Sequence, residues 1–222
     1  MFLLDRLIYA TNRPDDIDRI LTQEKGYECV AAGNSYPGIA TRHYPFPGGG
    51  YLEIAYVEDK EKATQTEVGQ GLLAFLEEQG EGYYSLLLET ADLTHVENVL
   101  REENYPIYKT GVHEITTITG EKLRMRMLGT SSHLPWFIEY EKTTQAKPDY
   151  AQAAIIRTTT LTADVALLEK LVGVTAIMGT YPGMNTGFLP LANASLRLES
   201  ADKNGISYFE PKGLLLDDTI YM

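Results

Sequence analysis

One order of elements, a strand, a helix and then three strands, runs through this chain more than once, and no other feature restricts its fold as strongly. LDRLIYAT at 4–11 has the alternation and the β-favouring residues of a strand. Pro14 then opens a helix in which Ile17, Ile20 and Leu21 share a face, and Gly26 stops it. YECVAAG, IATRHYPF and, after the glycine turn at 48–50, YLEIAYVED read as three strands. From Tyr83 the order returns. YYSLLLET is a strand, and DLTHVENVLREEN a helix with Val96, Val99 and Leu100 on one face. Asp92 is its N-cap and Asn104 its left-handed stop. PIYKTGV, KLRMRML and WFIEYEK follow as strands. Ser85-Leu86-Leu87 aligns on Arg6-Leu7-Ile8 with an offset of 79 (85 − 6), and Glu139 aligns on Glu53 with an offset of 86 (139 − 53). A weaker third copy starts near Ala153, with the helix ADVALLEKLVG and the strands TAIMGTY, GFLPLA and ASLRLES; ISYFE closes it. Between the first two copies, Val68, Leu72, Phe75 and Leu76 stand at helical spacing in a connector helix near 66–79.

Bulk properties exclude several classes. The net charge of −12 repels phosphate backbones, so nucleic acid is not an expected partner. No apolar run reaches the roughly 18 residues of a membrane span, and MFLLDRLIYAT reads as a strand and not as a signal peptide. Cys29 is the only cysteine and lies in the apolar run CVAA, which suits a packed filler in a reducing, cytoplasmic compartment. The chain carries no Walker lysine motif, dinucleotide fingerprint or nucleophile elbow, and the glycines at 48–50 precede a strand, so they form a turn and not a phosphate cradle.

In their order and spacing, LDRLIYAT, ATRHYPFPGGGYLEIAYVED, FLEEQGEGYYSLLLETADL and LPWFIEYE resemble the glyoxalase-like branch of the vicinal oxygen chelate superfamily. The resemblance implies an α+β fold of tandem βαβββ modules, at 1–60 and 83–142, forming one glyoxalase-like domain over 1–142. A third, partial module would then occupy 150–222. It also implies a cleft between modules. Metal-dependent relatives place a histidine on each first strand and glutamates on last strands, leaving open positions where a metal polarises substrate oxygens. Here Glu53 and Glu139 fall on the glutamate positions, but Arg6 and Ser85 stand where the histidines would be. The third copy offers only Ile155 or Ile156. Arginine has no lone pair for a metal, so the expectation is an ion network of Arg6 with Glu53 or Glu139, with no metal or other cofactor. A divalent metal is the alternative, and would need His43 or His113 as a substitute ligand.

His43 and His113 lie on strands and read either as surface residues or as residues lining the cleft, whereas His95 and His133 read as helix-surface and loop residues. Arg42 lies on a strand curving round the cleft, and Tyr9 and Trp136 are either apolar walls for a ligand or ordinary core aromatics. Arg124 and Arg126 share one strand face and Met125 and Met127 the other, with the methionines inward. The leading expectation is a protein binding a small organic molecule at Arg6, Ser85, Glu53, Glu139, Tyr9, Arg42, His43 and Trp136. A lyase or isomerase with Glu139 or Glu53 as base is the second reading, and a structural or dimerising module the third. A homodimer is compatible with all three.

Overall fold

The structure is a computed structural model that describes residues 1–116, 122–131, 133–141, 153–181, 184–210, 213–214 and 216. In the first module β1 (Phe2–Ala10) leads into α1 (Pro14–Arg19), which continues as a wider π turn over Ile20–Glu24. β2 (Ala31–Tyr36), β3 (Ile39–Pro45) and β4 (Tyr51–Val57) follow. The short α2 (Lys60–Ala63) and α3 (Glu67–Gln79) connect to the second module, which holds β5 (Gly82–Thr90), α4 (Leu93–Glu102), β6 (Tyr108–Lys109), β7 (His113–Thr116), β8 (Lys122–Gly129) and β9 (Trp136–Tyr140). The third holds β10 (Ala153–Thr158), α5 (Leu161–Val172), β11 (Ile177–Tyr181), β12 (Met184–Pro190) and β13 (Ser195–Ser200), with β14 (Gly205–Glu210) and β15 (Gly213–Leu214) added.

The first two modules share one sheet, in the order β2-β3-β4-β1-β5-β9-β8-β6, with β7 also on β8. First and last strands pair in parallel in each module (β1 with β4, β5 with β9), and β1 pairs antiparallel with β5 at the centre. This is the tandem βαβββ architecture. The third module, expected to be partial, has the same element order and the same parallel pairing of first strand to last, β10 on β13, in a sheet ordered β11-β12-β13-β10-β14-β15.

The sequence signals explain the boundaries. Pro14 stands in the first helical turn, Asp92 Oδ1 accepts from His95 N–H at 2.9 Å, and Asn104 takes a φ of 59°. Leu7, Tyr9, Leu86 and Leu88 point from the central strands towards α1 and α4, where they meet Ile17, Leu21, Val96 and Leu100 in a core that continues into the third module. Each such side chain stabilises by about 1.5–3 kcal/mol. The connector α3 packs on the opposite face of the sheet, over Ala10, Ile39 and Ala55, through Leu72 and Leu76.

The β1–β5 register fixes the symmetry between the modules. It runs Leu4 to Leu88, skips Asp5, continues from Arg6–Leu87 to Ile8–Ser85, skips Tyr84, and resumes at Tyr9–Tyr83. Adding 79 to one member and subtracting 79 from the other returns the same pairs from Leu3–Glu89 to Ala10–Gly82, with Leu7–Leu86 on the axis. Arg6 is therefore equivalent to Ser85, and the two bulged residues, Asp5 and Tyr84, are equivalent to each other. Thr11 and Thr90 support this, since their hydroxyls accept from the backbone N–H two residues on, at Arg13 and Asp92.

The last strands follow a different offset from the expected 86. Ile8 lies beside Glu53 and its equivalent Leu87 lies beside Trp136, so Trp136 and not Glu139 occupies the place of Glu53. The slip is three residues, an odd number, and so moves Glu139 to the opposite face of the sheet. In the third module Thr158 makes the same threonine turn, to Thr160 N–H at 3.0 Å. Counting back from it puts Ala153, and not Ile155 or Ile156, at the place of Arg6. Arg197, beside Ile155, takes that of Glu53.

Candidate functional site

Arg6, Glu53 and His43 lie in neighbouring strands on the sheet face that α3 partly covers. His43 stands opposite Glu53 in the β3–β4 register, and the Arg6 guanidinium reaches across from β1. Arg6 Nη1 donates to Glu53 Oε2 at 2.7 Å, Nε to Asp5 Oδ2 at 2.7 Å, and Nη2 to the Tyr140 hydroxyl at 3.0 Å. The Tyr140 hydroxyl donates in turn to Asp5 Oδ1 at 3.0 Å, and His43 Nε2 lies 3.2 Å from Glu53 Oε2. Asp5 and Glu53 are both 6% exposed. Adjacent residues of a regular strand face opposite ways; the bulge at Asp5 turns its carboxylate to the side of Arg6.

Two carboxylates share one guanidinium. Burial alone would raise the Glu53 carboxyl, but the hydrogen bond from His43 and the Arg6 charge outweigh it and hold it down at about 2. Burial and the nearby Asp5 charge push the Tyr140 phenol up, and burial and Glu53 do the same to Tyr36, so both keep their protons. Tyr36, on β2, meets the His113 ring edge-on at 6.3 Å, which brings β7 of the second module against the first module at the margin of this face. Tyr140, Met125 and His113 follow one another across the β9–β8–β7 register and share that side. With Nε2 turned to Glu53 as a donor, the lone pair of a neutral His43 sits on Nδ1; this ring is partly exposed, at 29%.

The other expected residues lie elsewhere. Glu139 faces the helices: Oε1 accepts from Leu93 N–H, at the start of α4, at 3.2 Å, and Oε2 pairs with Arg126. Arg42 points to the same side of the sheet, to Pro14 O and Asp15 on α1. Tyr9 is a core side chain, 1% exposed, edge-on to Tyr83 at 5.2 Å. Trp136 is half-buried with its ring folded over Gly129, where a Cβ would come within 2.4 Å of it. Ser85 is half-buried at the symmetric place of Arg6, without a charged partner beside it among the described residues. Arg124 is exposed and pairs with Glu141, while Met125 and Met127 are half-buried. His95 is exposed and reaches the last carbonyls of α5, at Lys170 and Leu171. His133, read as a surface loop residue, is instead mostly covered, 3.1 Å from Asp164 Oδ2.

Asp5 and Tyr140 were not among the expected site residues. Tyr140 carried a signal, being four residues from Trp136 and hence on the same strand face. Asp5 carried none, because a bulge is invisible in the alternation. A separate groove of about 1220 Å³, lined by Arg13, Glu81, Tyr83, His133, Arg157 and Asn204 among others, lies between the module pair and the third module. It does not include Arg6, Glu53 or His43. The charged cluster, where the buried ionisable groups converge, is the better candidate of the two.

The donor set does not fit a divalent metal. Both buried carboxylates are committed to a guanidinium that stands where a ligand would be, and the equivalent places in the second module hold Ser85 and Trp136. Among the described residues no group of three or more His, Cys, Asp or Glu side chains is arranged to hold a metal.

Residues 4–178 match the family model described as a glyoxalase-like domain. No curated protein matches the sequence. Among solved structures, a hypothetical protein from Staphylococcus aureus is similar with a TM-score of 0.67 and 16% identity, over 96% of this chain and 93% of that one. A mutant of 4-hydroxymandelate synthase from Streptomyces coelicolor has a TM-score of 0.58 and 10% identity, over 90% of this chain and 62% of that one. For methylmalonyl-CoA epimerase from Mycobacterium tuberculosis the figures are 0.46 and 16%, over 64% and 88%. At these identities the likeness is one of fold. No helix among the described residues is long and apolar enough to cross a membrane.

Proposed function

For this chain, which belongs to the glyoxalase-like family of the vicinal oxygen chelate superfamily, we propose that the face holding Arg6, Glu53 and His43 binds a small organic molecule without a metal. The observation that carries the reading is the buried Asp5–Arg6–Glu53–Tyr140 network, bordered by the partly open rings of His43, Tyr36 and His113. Among the described residues three of the five Arg6 N–H groups are committed, so two remain for a polar oxygen of a ligand. The aromatic rim would cover its apolar part.

A second reading, proton transfer of the lyase or isomerase kind, is favoured by one contact, that of His43 with Glu53. A carboxylate held ionised at about 2 is a weak base, which argues against Glu53 itself, and Glu139 is engaged on the far face. His43, oriented by Glu53, is the better base in this arrangement. The dimerising role has no comparable support.

A thermal-shift screen of small carbonyl compounds and aromatic acids tests the binding reading. Compounds that stabilise the wild type should lose their effect on His43→Ala and Arg6→Ala and keep it on Glu139→Gln. Stabilisation that persists in both cluster variants and vanishes in Arg13→Ala would move the site to the inter-module groove.

A further inference from the structure

The strand pairing around Arg6 has a gap that is filled from far along the chain. β4 begins beside Arg6, where Tyr51 is the first paired residue. Two residues upstream, Leu4 has β5 on one side and no β4 residue on the other. The Asn193 side chain, from the turn between β12 and β13, stands in that place. Its Oδ1 accepts from Leu4 N–H at 2.8 Å and its Nδ2 donates to Leu4 O at 2.9 Å, so one amide does what an opposing strand residue would do. The same Nδ2 lies 3.3 Å from Gly49 O, in the turn that leads into β4, and Ala192 N–H donates to Phe2 O at 2.9 Å. Asn193 is 2% exposed.

These bonds sit at the two points that aim the charged cluster. Leu4 immediately precedes the bulged Asp5, whose carboxylate holds Arg6 Nε. Gly49 lies four residues before Glu53, which holds Arg6 Nη1. Gly50 is pressed between them with a φ of +83°, and a Cβ there would fall 2.5 Å from Leu4 O and 2.8 Å from Asp5 O. We propose that Asn193 is a positioning residue for the Arg6 site, and that the site is composite: the first module carries its charges and the third holds the bulge that converges them. The inference concerns the geometry of the cluster and stands whether or not that face binds a ligand.

The test is an NMR measurement on the full chain, which follows exchange of the Arg6 Nε–H and the ¹³C titration of the Glu53 carboxyl. In Asn193→Ala the Arg6 Nε–H should exchange about tenfold faster, as when the hydrogen bond that protects it is loosened, and the low Glu53 titration should move up. Leu191→Ala, which removes a buried apolar side chain from the same turn and leaves the amide, is the control and should lower the melting temperature without moving either signal. Should Asn193→Ala not fold, Asn193→Ser is read against the same two outcomes. Arg6 and Glu53 signals unchanged in a folded Asn193 variant, or displaced equally by Leu191→Ala, would reduce Asn193 to a tether between modules and overturn the proposal.

Discussion

The first two modules have the same fold and opposite chemistry at symmetry-related places. In the first, Asp5, Arg6, Glu53 and His43 make a charged, hydrogen-bonded cluster. The equivalent positions in the second are Tyr84, Ser85, Trp136 and Gly129. Each substitution in this set explains another. A tryptophan in place of Glu53 needs room across the strand pair, and the glycine in place of His43 provides it. A serine in place of Arg6 needs no counter-ions, and the second bulge presents a tyrosine instead of a carboxylate. A βαβββ module therefore sets positions without setting chemistry, and a two-module cleft can be charged on one wall and aromatic on the other.

The largest expected effect is the contrast between Arg6→Ala and Ser85→Ala. Removing Arg6 strands two mostly buried carboxylates, which should cost about 3–5 kcal/mol in urea unfolding. Its symmetry mate, with no charge to strand, should cost less than about 1 kcal/mol. Comparable losses from the two would show that the cluster is solvated and that the modules differ in composition only.

Acid comes next. Glu53 titrates lower in the folded chain (about 2) than its ordinary 4.5, so its contribution is complete above about pH 4.5 and is lost as pH falls towards 2. That interval corresponds to about 3 kcal/mol, and Glu53→Gln should flatten the stability profile across it. Asp164, also held low, against the opposing effect of burial, by His133 and two threonines, leaves a residual slope in that variant. An unchanged profile in Glu53→Gln would remove Glu53 from the first module's charge balance.

The smallest effect belongs to Glu139→Gln. Arg126 is half exposed and a glutamine keeps an acceptor for the α4 N–H, so the loss should stay below about 1 kcal/mol. A loss as large as that of Arg6→Ala would mean that the second module holds a charged centre of its own.

The modular fold was legible because alternation and helical spacing repeat, and because strand, cap and stop residues such as Pro14, Asp92 and Asn104 act locally. The first-strand offset of 79 held for the same reason. The last-strand offset did not, since YLEIAY and WFIEYE both set glutamate among apolar residues, and matching Glu53 to Glu139 gives 86 where the register gives 83. Only the pairing of Leu87 with Trp136 separates them, and pairing is a tertiary fact. Of the candidate site, the sequence yielded Arg6 paired with Glu53 or Glu139, of which Glu53 is the partner, and left His43 open between surface and cleft. Asp5 depended on a bulge, and Asn193 on a contact between segments with no local pattern in common.

The closing of Leu4 by Asn193 also sets an order of events during synthesis. The two residues are 189 positions apart. At about 5–20 residues per second a ribosome needs roughly 10–40 s to deliver the second after the first. Once β5 has been made the leading strand can pair on that side, while the opposite edge at Leu4 stays open to water or to another chain. The N-terminal half is thus made early, and the hydrogen bonds that close its edge at Leu4 arrive only with the last third of the polypeptide.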